Sequence, residues 1–144
     1  MWLGPPKSQA AVRRIDLPDF LADILHTILD SHNHDQLFTT QEGEWHRRSN
    51  FARRIWRPAI DGDPDLGWGP IAPGATFHGL RHLHKTILDE LELPEVIKHD
   101  RMGHRMSGIA GVYSHVTPAM RHQVRTRLQD HWEAHTGFSS VQAV

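Results

Sequence analysis

Cysteine is absent from this chain of 144 residues. Disulfide bonds and thiolate metal sites are therefore excluded, and a reducing cytoplasm is the expected compartment. No apolar run approaches the roughly 18 residues that a membrane-spanning helix needs, and the first residues do not begin a signal peptide. We therefore expect no membrane partner.

Net charge is also nearly absent, because 16 lysines and arginines are offset by 17 acidic residues. The total therefore favours neither nucleic acid nor any other class of partner. The distribution is more informative, because five arginines and no acidic residue lie between residues 46 and 57. They are Arg47, Arg48, Arg53, Arg54 and Arg57. Such a cluster is typical either of a phosphate-binding surface or of a solvated basic face.

Apolar spacing predicts a mainly α fold with a small β element. We expect helices over residues 18–31 and 49–60, and further helices beginning near Thr76, Pro94 and Pro118. Pro58 should kink or shorten the second of these, and residues 61–75 form a loop rich in glycine and proline. Residues 1–17 resemble half of a β-hairpin. The expected organisation is a single partial domain, with a hairpin remnant (1–17), a helical body (18–135) and a flexible tail (136–144).

Residues suited to phosphoryl transfer occur in order between His78 and Tyr113. Tyr113 is the single tyrosine of the chain. A phenol with a pKa near 10 attacks an anionic phosphodiester poorly unless donors and cations stabilise the charge that develops on phosphate. His78 and Arg81, three apart on a helix, can address one phosphate, and His104 follows a predicted helix end at Gly103. Lys7, at a predicted turn, could protonate a leaving oxygen.

These residues resemble the catalytic part of the tyrosine recombinases (the phage integrase family). TFHGLRH matches the family's H-x-L-R-H box, RMGH its L-G-H box and VYSHVTPAM its nucleophile box. The separations agree, with 22 residues between Arg81 and His104 and eight between His104 and Tyr113. Upstream, PPKSQAAVRRIDLP resembles the family's lysine hairpin. LFTTQEGEWHRRSNFARRIWRPAI resembles its DNA-facing region.

The resemblance implies a role for each residue. Tyr113 would form a 3′-phosphotyrosyl link to double-stranded DNA, and Lys7 would protonate the leaving 5′ oxygen. His78, Arg81 and His104 would bind and activate the phosphate. No cofactor or metal is implied. The helix over residues 118–135, with the stripe Met120, Val124, Leu128 and Trp132, would dock on a neighbouring protomer of a tetramer on DNA. A bacterial or phage-derived protein associated with the nucleoid is the expected setting.

Two family features have no counterpart in the sequence. The family places another arginine, in an Arg-x-x-Glu context, well before the hairpin lysine, but none of the six residues before Lys7 is arginine. The family's N-terminal core-binding domain is also missing. We therefore expect an N-terminally truncated catalytic fragment.

Three other interpretations remain open at the level of sequence. The first is a DNA-binding remnant that has lost catalysis, in which Arg47, Arg48, Arg53 and Arg54 contact phosphates. The second is a metal site, since His78 and His82 have the spacing of zinc-hydrolase ligands, although Gly79 occupies the position of the usual glutamate. The third is a helical interaction domain that self-associates through its last helix.

Overall fold

The computed structural model describes residues 4–6, 11–104, 106 and 115–137. These residues are mainly α-helical, as the apolar spacing predicts. The helices are α1 (Asp19–Asp30), α2 (Arg48–Phe51), α3 (Arg57–Asp61), α4 (Gly79–Glu90), α5 (Glu95–Met102) and α6 (Pro118–Thr136). A π-helical turn (Ala52–Trp56) joins α2 to α3, and a 3₁₀ turn (Pro64–Leu66) follows α3. No helix within the described ranges is long and apolar enough to cross a membrane.

The chain divides into two compact units, of which residues 33–84 form one. The chain up to residue 32 and from residue 85 forms the other. The division falls inside α4, whose first half belongs to the first unit and whose second half belongs to the second. The expectation that all residues form one partial catalytic domain stays a prediction.

The larger unit contains the buried apolar core. Its members come from the second half of α4, the α4–α5 connection, α5 and α6: Leu88, Leu93, Ile97, Met102, Val124 and Leu128. Ile87, Leu91, Val116 and Met120 pack around them. Thr117 begins α6, because its side-chain oxygen accepts a hydrogen bond from the backbone N–H of Met120 at 3.2 Å. Val124 and Leu128, two residues of the stripe predicted to dock on a neighbouring protomer, are therefore part of this chain's own core.

Helix α1 is fixed to α6 by an aromatic and a polar contact. The Phe20 ring stacks on that of Trp132 with centroids 4.3 Å apart and an interplanar angle of 1°. The backbone N–H of Phe20, unsatisfied within its own helix, donates to the Gln129 side-chain oxygen at 2.9 Å. Trp132 thus completes an apolar stripe that packs inside this chain.

The smaller unit is built on the irregular helix from Arg48 to Asp61. Pro58 has no N–H, so it cannot donate to the carbonyl one helical turn earlier. Immediately before it the backbone widens into the π-helical turn, and the Arg57 N–H donates to the Ala52 carbonyl five residues back. Pro58 does not shorten the helix, because helical backbone continues to Asp61. The predicted kink stays a prediction, and the irregularity before Pro58 is a π-helical turn.

The loop over residues 61–75 is closed at its base. The Asp61 carboxylate accepts the Gly74 N–H at 2.7 Å and also pairs with Arg57, which together hold the pKa of Asp61 below its ordinary value. The Trp56 indole N–H donates to the Ala75 carbonyl at 3.1 Å. An antiparallel bridge between Asp63 and Trp68 closes a smaller turn inside the loop.

The hairpin predicted for residues 1–17 is not confirmed. Residues 11–18 contain no strand, and residues 1–3 and 7–10 lie outside the described part of the chain. Within the described residues, β pairing consists of two isolated bridges, Thr39 with Trp45 and Asp63 with Trp68. The Arg13 guanidinium donates instead to the backbone carbonyls of Arg101 and Ala11, at 2.9 and 3.1 Å.

Candidate functional site

His78 and Arg81 lie at the N-terminal end of α4. The Thr76 hydroxyl accepts the Gly79 N–H at 3.0 Å, which confirms the predicted cap, and the Arg81 N–H donates to the His78 carbonyl at 3.0 Å. The His78 side chain is exposed and that of Arg81 is half-buried. A helix N-terminus carries partial positive charge, so the imidazole and the guanidinium add to a place where an anion is already favoured.

Phe77 joins this helix end to the arginine-bearing helix of the same unit. Its ring makes edge-to-face contacts with Phe51 and with Trp56, at centroid distances of 5.7 and 5.2 Å. The His46 ring contacts Phe51 in turn at 5.8 Å. No role for this aromatic cluster follows from the sequence pattern. Phe77 itself is 62% exposed, so the cluster lies at the surface of the unit.

The four arginines expected to bind DNA lie on this same irregular helix. Arg47 caps α2, Arg48 begins it, and Arg53 and Arg54 lie in the π-helical turn. All four are exposed, and among the described residues none of them forms an ion pair with an acidic side chain. Arg57 differs, because it pairs with Asp61 at 3.0 Å. The four charges are therefore open to an external anion.

The two histidines considered as zinc ligands contact each other, but within the described part of the chain no third ligand joins them. The His78 and His82 rings meet edge to face at a centroid distance of 5.0 Å. Across the described residues, no group of three or more histidine, cysteine or acidic side chains is arranged to hold a metal ion.

His104 lies at the C-terminal end of α5, in the larger unit. Gly103 is left-handed there (φ 67°), as predicted for a C-cap, and the His104 N–H returns to the His99 carbonyl at 2.9 Å. The His104 side chain is exposed, and its ring centroid is 6.1 Å from that of His99. The glycine turn therefore fixes the backbone from which this imidazole projects.

A buried lysine ties α5 to the second half of α4. The Lys98 ammonium bonds Asp89 at 2.7 Å and also pairs with Glu95, while Lys85 bonds the other Asp89 oxygen at 2.6 Å. Hydrogen bonds from Lys85 and then Lys98 lower the pKa of Asp89, and the Lys98 hydrogen bond lowers that of Glu95. The bond to Asp89, followed by that to Glu95, raises the pKa of Lys98. Helix α5, which precedes His104, is thus held by charge as well as by apolar packing.

The structure describes three of the five predicted catalytic residues. His78 and Arg81 share a helix end in one unit, and His104 follows a helix end in the other. Lys7 and Tyr113 lie outside the described residues. Comparison with protein-family models, with curated proteins and with solved structures finds no match for this chain.

Proposed function

We propose that this chain is the catalytic fragment of a site-specific DNA recombinase or integrase. The observation that carries the proposal is the smaller unit, in which Phe77 packs the His78–Arg81 helix end against the helix that bears four exposed arginines. One anion-binding helix end beside a row of unpaired cations suits a duplex, whose scissile phosphate and neighbouring phosphates follow each other at regular spacing.

The chemistry rests on the resemblance, with each residue in the role that its motif implies. The Tyr113 phenol gives its proton to water as its oxygen attacks the scissile phosphorus, and the bond from phosphorus to the 5′ oxygen breaks. Lys7 gives that oxygen a proton, while Arg81, His78 and His104 stabilise the charge on the non-bridging oxygens. Attack by a second 5′ hydroxyl reverses these steps. The phosphotyrosyl bond conserves the energy of the phosphodiester, so the reaction needs neither ATP nor a metal ion.

Double-stranded DNA is the proposed partner, and assembly into a tetramer on DNA is proposed from the same resemblance. In the structure the stripe of α6 packs within its own chain, since Val124 and Leu128 are buried and Trp132 stacks on Phe20. Docking of residues 118–135 on another protomer therefore has to use a surface that remains exposed, or to open this packing. A bacterial or phage-derived protein acting at the nucleoid is proposed on the same basis.

A DNA-binding remnant without catalysis is the second candidate. The four exposed arginines favour it equally, and the family's first arginine has no counterpart before Lys7. Loss of one preorganised donor costs about 10²–10³ in rate. Binding by Arg47, Arg48, Arg53 and Arg54 would survive that loss.

A trapping experiment separates the two candidates. The chain is incubated with a pool of duplexes that carry random sequence around a nick, so that the short cleaved piece diffuses away and the covalent adduct accumulates. We expect a protein–DNA adduct that resists denaturant and is absent with Tyr113→Phe. DNA binding without any adduct would refute catalysis and support the DNA-binding remnant. Absence of both would refute both candidates.

A further inference from the structure

The Phe77 ring is open to solvent although two other rings fix its position. Phe77 is 62% exposed, and its ring centroid lies 5.7 Å from that of Phe51 and 5.2 Å from that of Trp56. The interplanar angles are 86° and 79°, so neither neighbour lies parallel to the Phe77 ring. The two contacts therefore hold the ring while most of its surface stays available to a ligand.

Exposed guanidinium groups lie close to this ring, on the helix that Phe77 contacts. Arg47 and Arg48 precede Phe51 by four and three residues, and side chains at these separations lie on one side of a helix. Both arginines are exposed, and among the described residues neither pairs with an acidic side chain. Arg53 and Arg54, in the π-helical turn, add two more exposed cations. The surface therefore suits a ligand that is both anionic and flat.

A single-stranded nucleic acid has both properties. Its phosphates are anionic, and its unpaired bases expose their faces, so they can stack on an aromatic side chain beside arginines. A duplex keeps its bases stacked on one another and offers only phosphates and groove edges to such a surface. Protein surfaces usually intersperse charges of both signs, whereas four arginines with no acidic residue between positions 46 and 57 match a continuous polyanion.

We propose that the smaller unit binds an unpaired DNA base on Phe77, while the exposed arginines hold phosphates of the same strand. The choice of DNA over RNA rests on the proposed function, but the stacking contact does not. In a strand exchange, a cut strand leaves one duplex before it joins another, so bases near its end are unpaired for a time. The contact with Phe77 would hold such a base during this interval.

The test compares oligonucleotides that have the same phosphates but differ in their bases. The probes are a fluorescent strand of about 12 thymidines, an abasic strand of the same length, and a fully paired duplex. Phe77→Leu retains apolar packing on Phe51 and Trp56 but removes the aromatic face, and Phe77→Tyr retains the ring. Phe38→Leu is the matched control, because Phe38 is 58% exposed in the same unit and makes no ring contact among the described residues.

Affinities are measured by fluorescence anisotropy at low salt. We expect the unmodified chain to bind the thymidine strand about fivefold or more tighter than the abasic strand, because stacking on Phe77 adds to the phosphate contacts. Phe77→Leu should bind the two strands alike, whereas Phe77→Tyr and Phe38→Leu should keep the difference. All four proteins should bind the duplex equally, which shows that the arginine surface is intact in Phe77→Leu.

Photochemical crosslinking gives the same answer without a variant. A strand that carries iodouracil is irradiated with the unmodified chain, and the crosslinked residue is identified by mass spectrometry. We expect the crosslink at Phe77, because a stacked base lies against its ring. Crosslinks confined to other aromatic residues would overturn the assignment of Phe77.

Equal affinity of the unmodified chain for the thymidine and abasic strands, or an equal loss in Phe38→Leu, would overturn the stacking contact. Tighter binding of a uridine strand than of the thymidine strand would overturn DNA as the ligand. Binding of no oligonucleotide would overturn the proposal and favour a protein partner for this surface.

The trapping experiment with nicked duplexes keeps this inference separate from the proposed function. An adduct together with equal affinity for the two strands would refute the stacking contact alone. A preference for the thymidine strand without any adduct would refute catalysis and support the stacking contact.

Discussion

Gly103 is the residue on which the position of His104 depends. Its φ of 67° is left-handed, and an L side chain there costs about 1–2 kcal/mol. We expect Gly103→Ala to lower the free energy of unfolding by about that amount, measured by urea titration. Gly69→Ala is the control, because a Cβ at Gly69 meets no atom within 4 Å and its φ is not positive. A Gly103→Ala chain as stable as the control would contradict the geometry of this turn.

Single residues also show what sequence could and could not predict. The Thr76 cap and the Gly103 turn follow from local chemistry, so their positions could be predicted and are confirmed. The hydrogen bonds of Arg101 and Arg121 with Asp16 could not, since they join residues separated by 85 and 105 positions. The placement of Lys7 and Tyr113 stays a prediction.

At the scale of elements, the connection between α4 and α5 should depend on pH. Asp89 and Glu95 have pKa values below the ordinary 3.8 and 4.5, so the stability from their pairing with Lys98 is present above about pH 4.5. That stability is lost as the pH falls through the lowered values. We expect the urea midpoint to fall between pH 5 and pH 3, and to fall less steeply in Asp89→Asn.

Asp23→Asn is the matched control for that titration. Asp23 is exposed on α1 and forms no ion pair among the described residues. The acid slope of this variant should equal that of the unmodified chain. Equal slopes for Asp89→Asn and the unmodified chain would instead show that the Lys98 pairs contribute nothing. At the alkaline end the sign reverses, because the raised pKa of Lys98 preserves its charge beyond pH 10.5 and stability declines only above that.

The arginine-bearing helix should determine the salt dependence of DNA binding. Each phosphate contact contributes a slope of about −0.9 to the plot of log affinity against log salt. We expect Arg53→Gln to reduce the magnitude of that slope by about one and to weaken binding similarly for all sequences. Arg125→Gln, on α6, should leave it unchanged. Binding is measured by fluorescence anisotropy at several salt concentrations. Equal slopes in the two variants would show that Arg53 does not contact DNA phosphates.

Elements differ in how far their form follows from sequence. Regular spacing predicts α1, α5 and α6 to within a residue or two, because packing and capping agree there. Pro58 predicts an irregular helix. The π-helical turn forms because the Ala52 carbonyl accepts the Arg57 N–H, and the sequence does not show which donor this carbonyl will bond. The hairpin predicted for residues 1–17 is not confirmed, since residues 11–18 form no strand.

Across the whole molecule, the core determines which apolar residues stabilise the fold. Leu83 and Leu88 both lie in α4, yet Leu88 is 0% exposed and Leu83 is 55% exposed. We expect Leu88→Ala to cost about 2–5 kcal/mol in the free energy of unfolding, because it leaves a cavity. Leu83→Ala, the same substitution in the same helix, should change it by about 0.5 kcal/mol or less. Similar costs, measured by urea titration, would contradict the described core.

The hydrogen bond between Arg121 and Asp16 has a consequence for biosynthesis. Arg121 is made 105 residues after Asp16. At roughly 5–20 residues per second, this interval lasts roughly 5–20 seconds. The Arg101 guanidinium can bond the Asp16 carbonyl earlier, but the Asp16 carboxylate waits for Arg121. A nascent chain that stops before Arg121 can therefore contain α1, α4 and α5 and still lack the contacts of this arginine with Asp16 and Asp100.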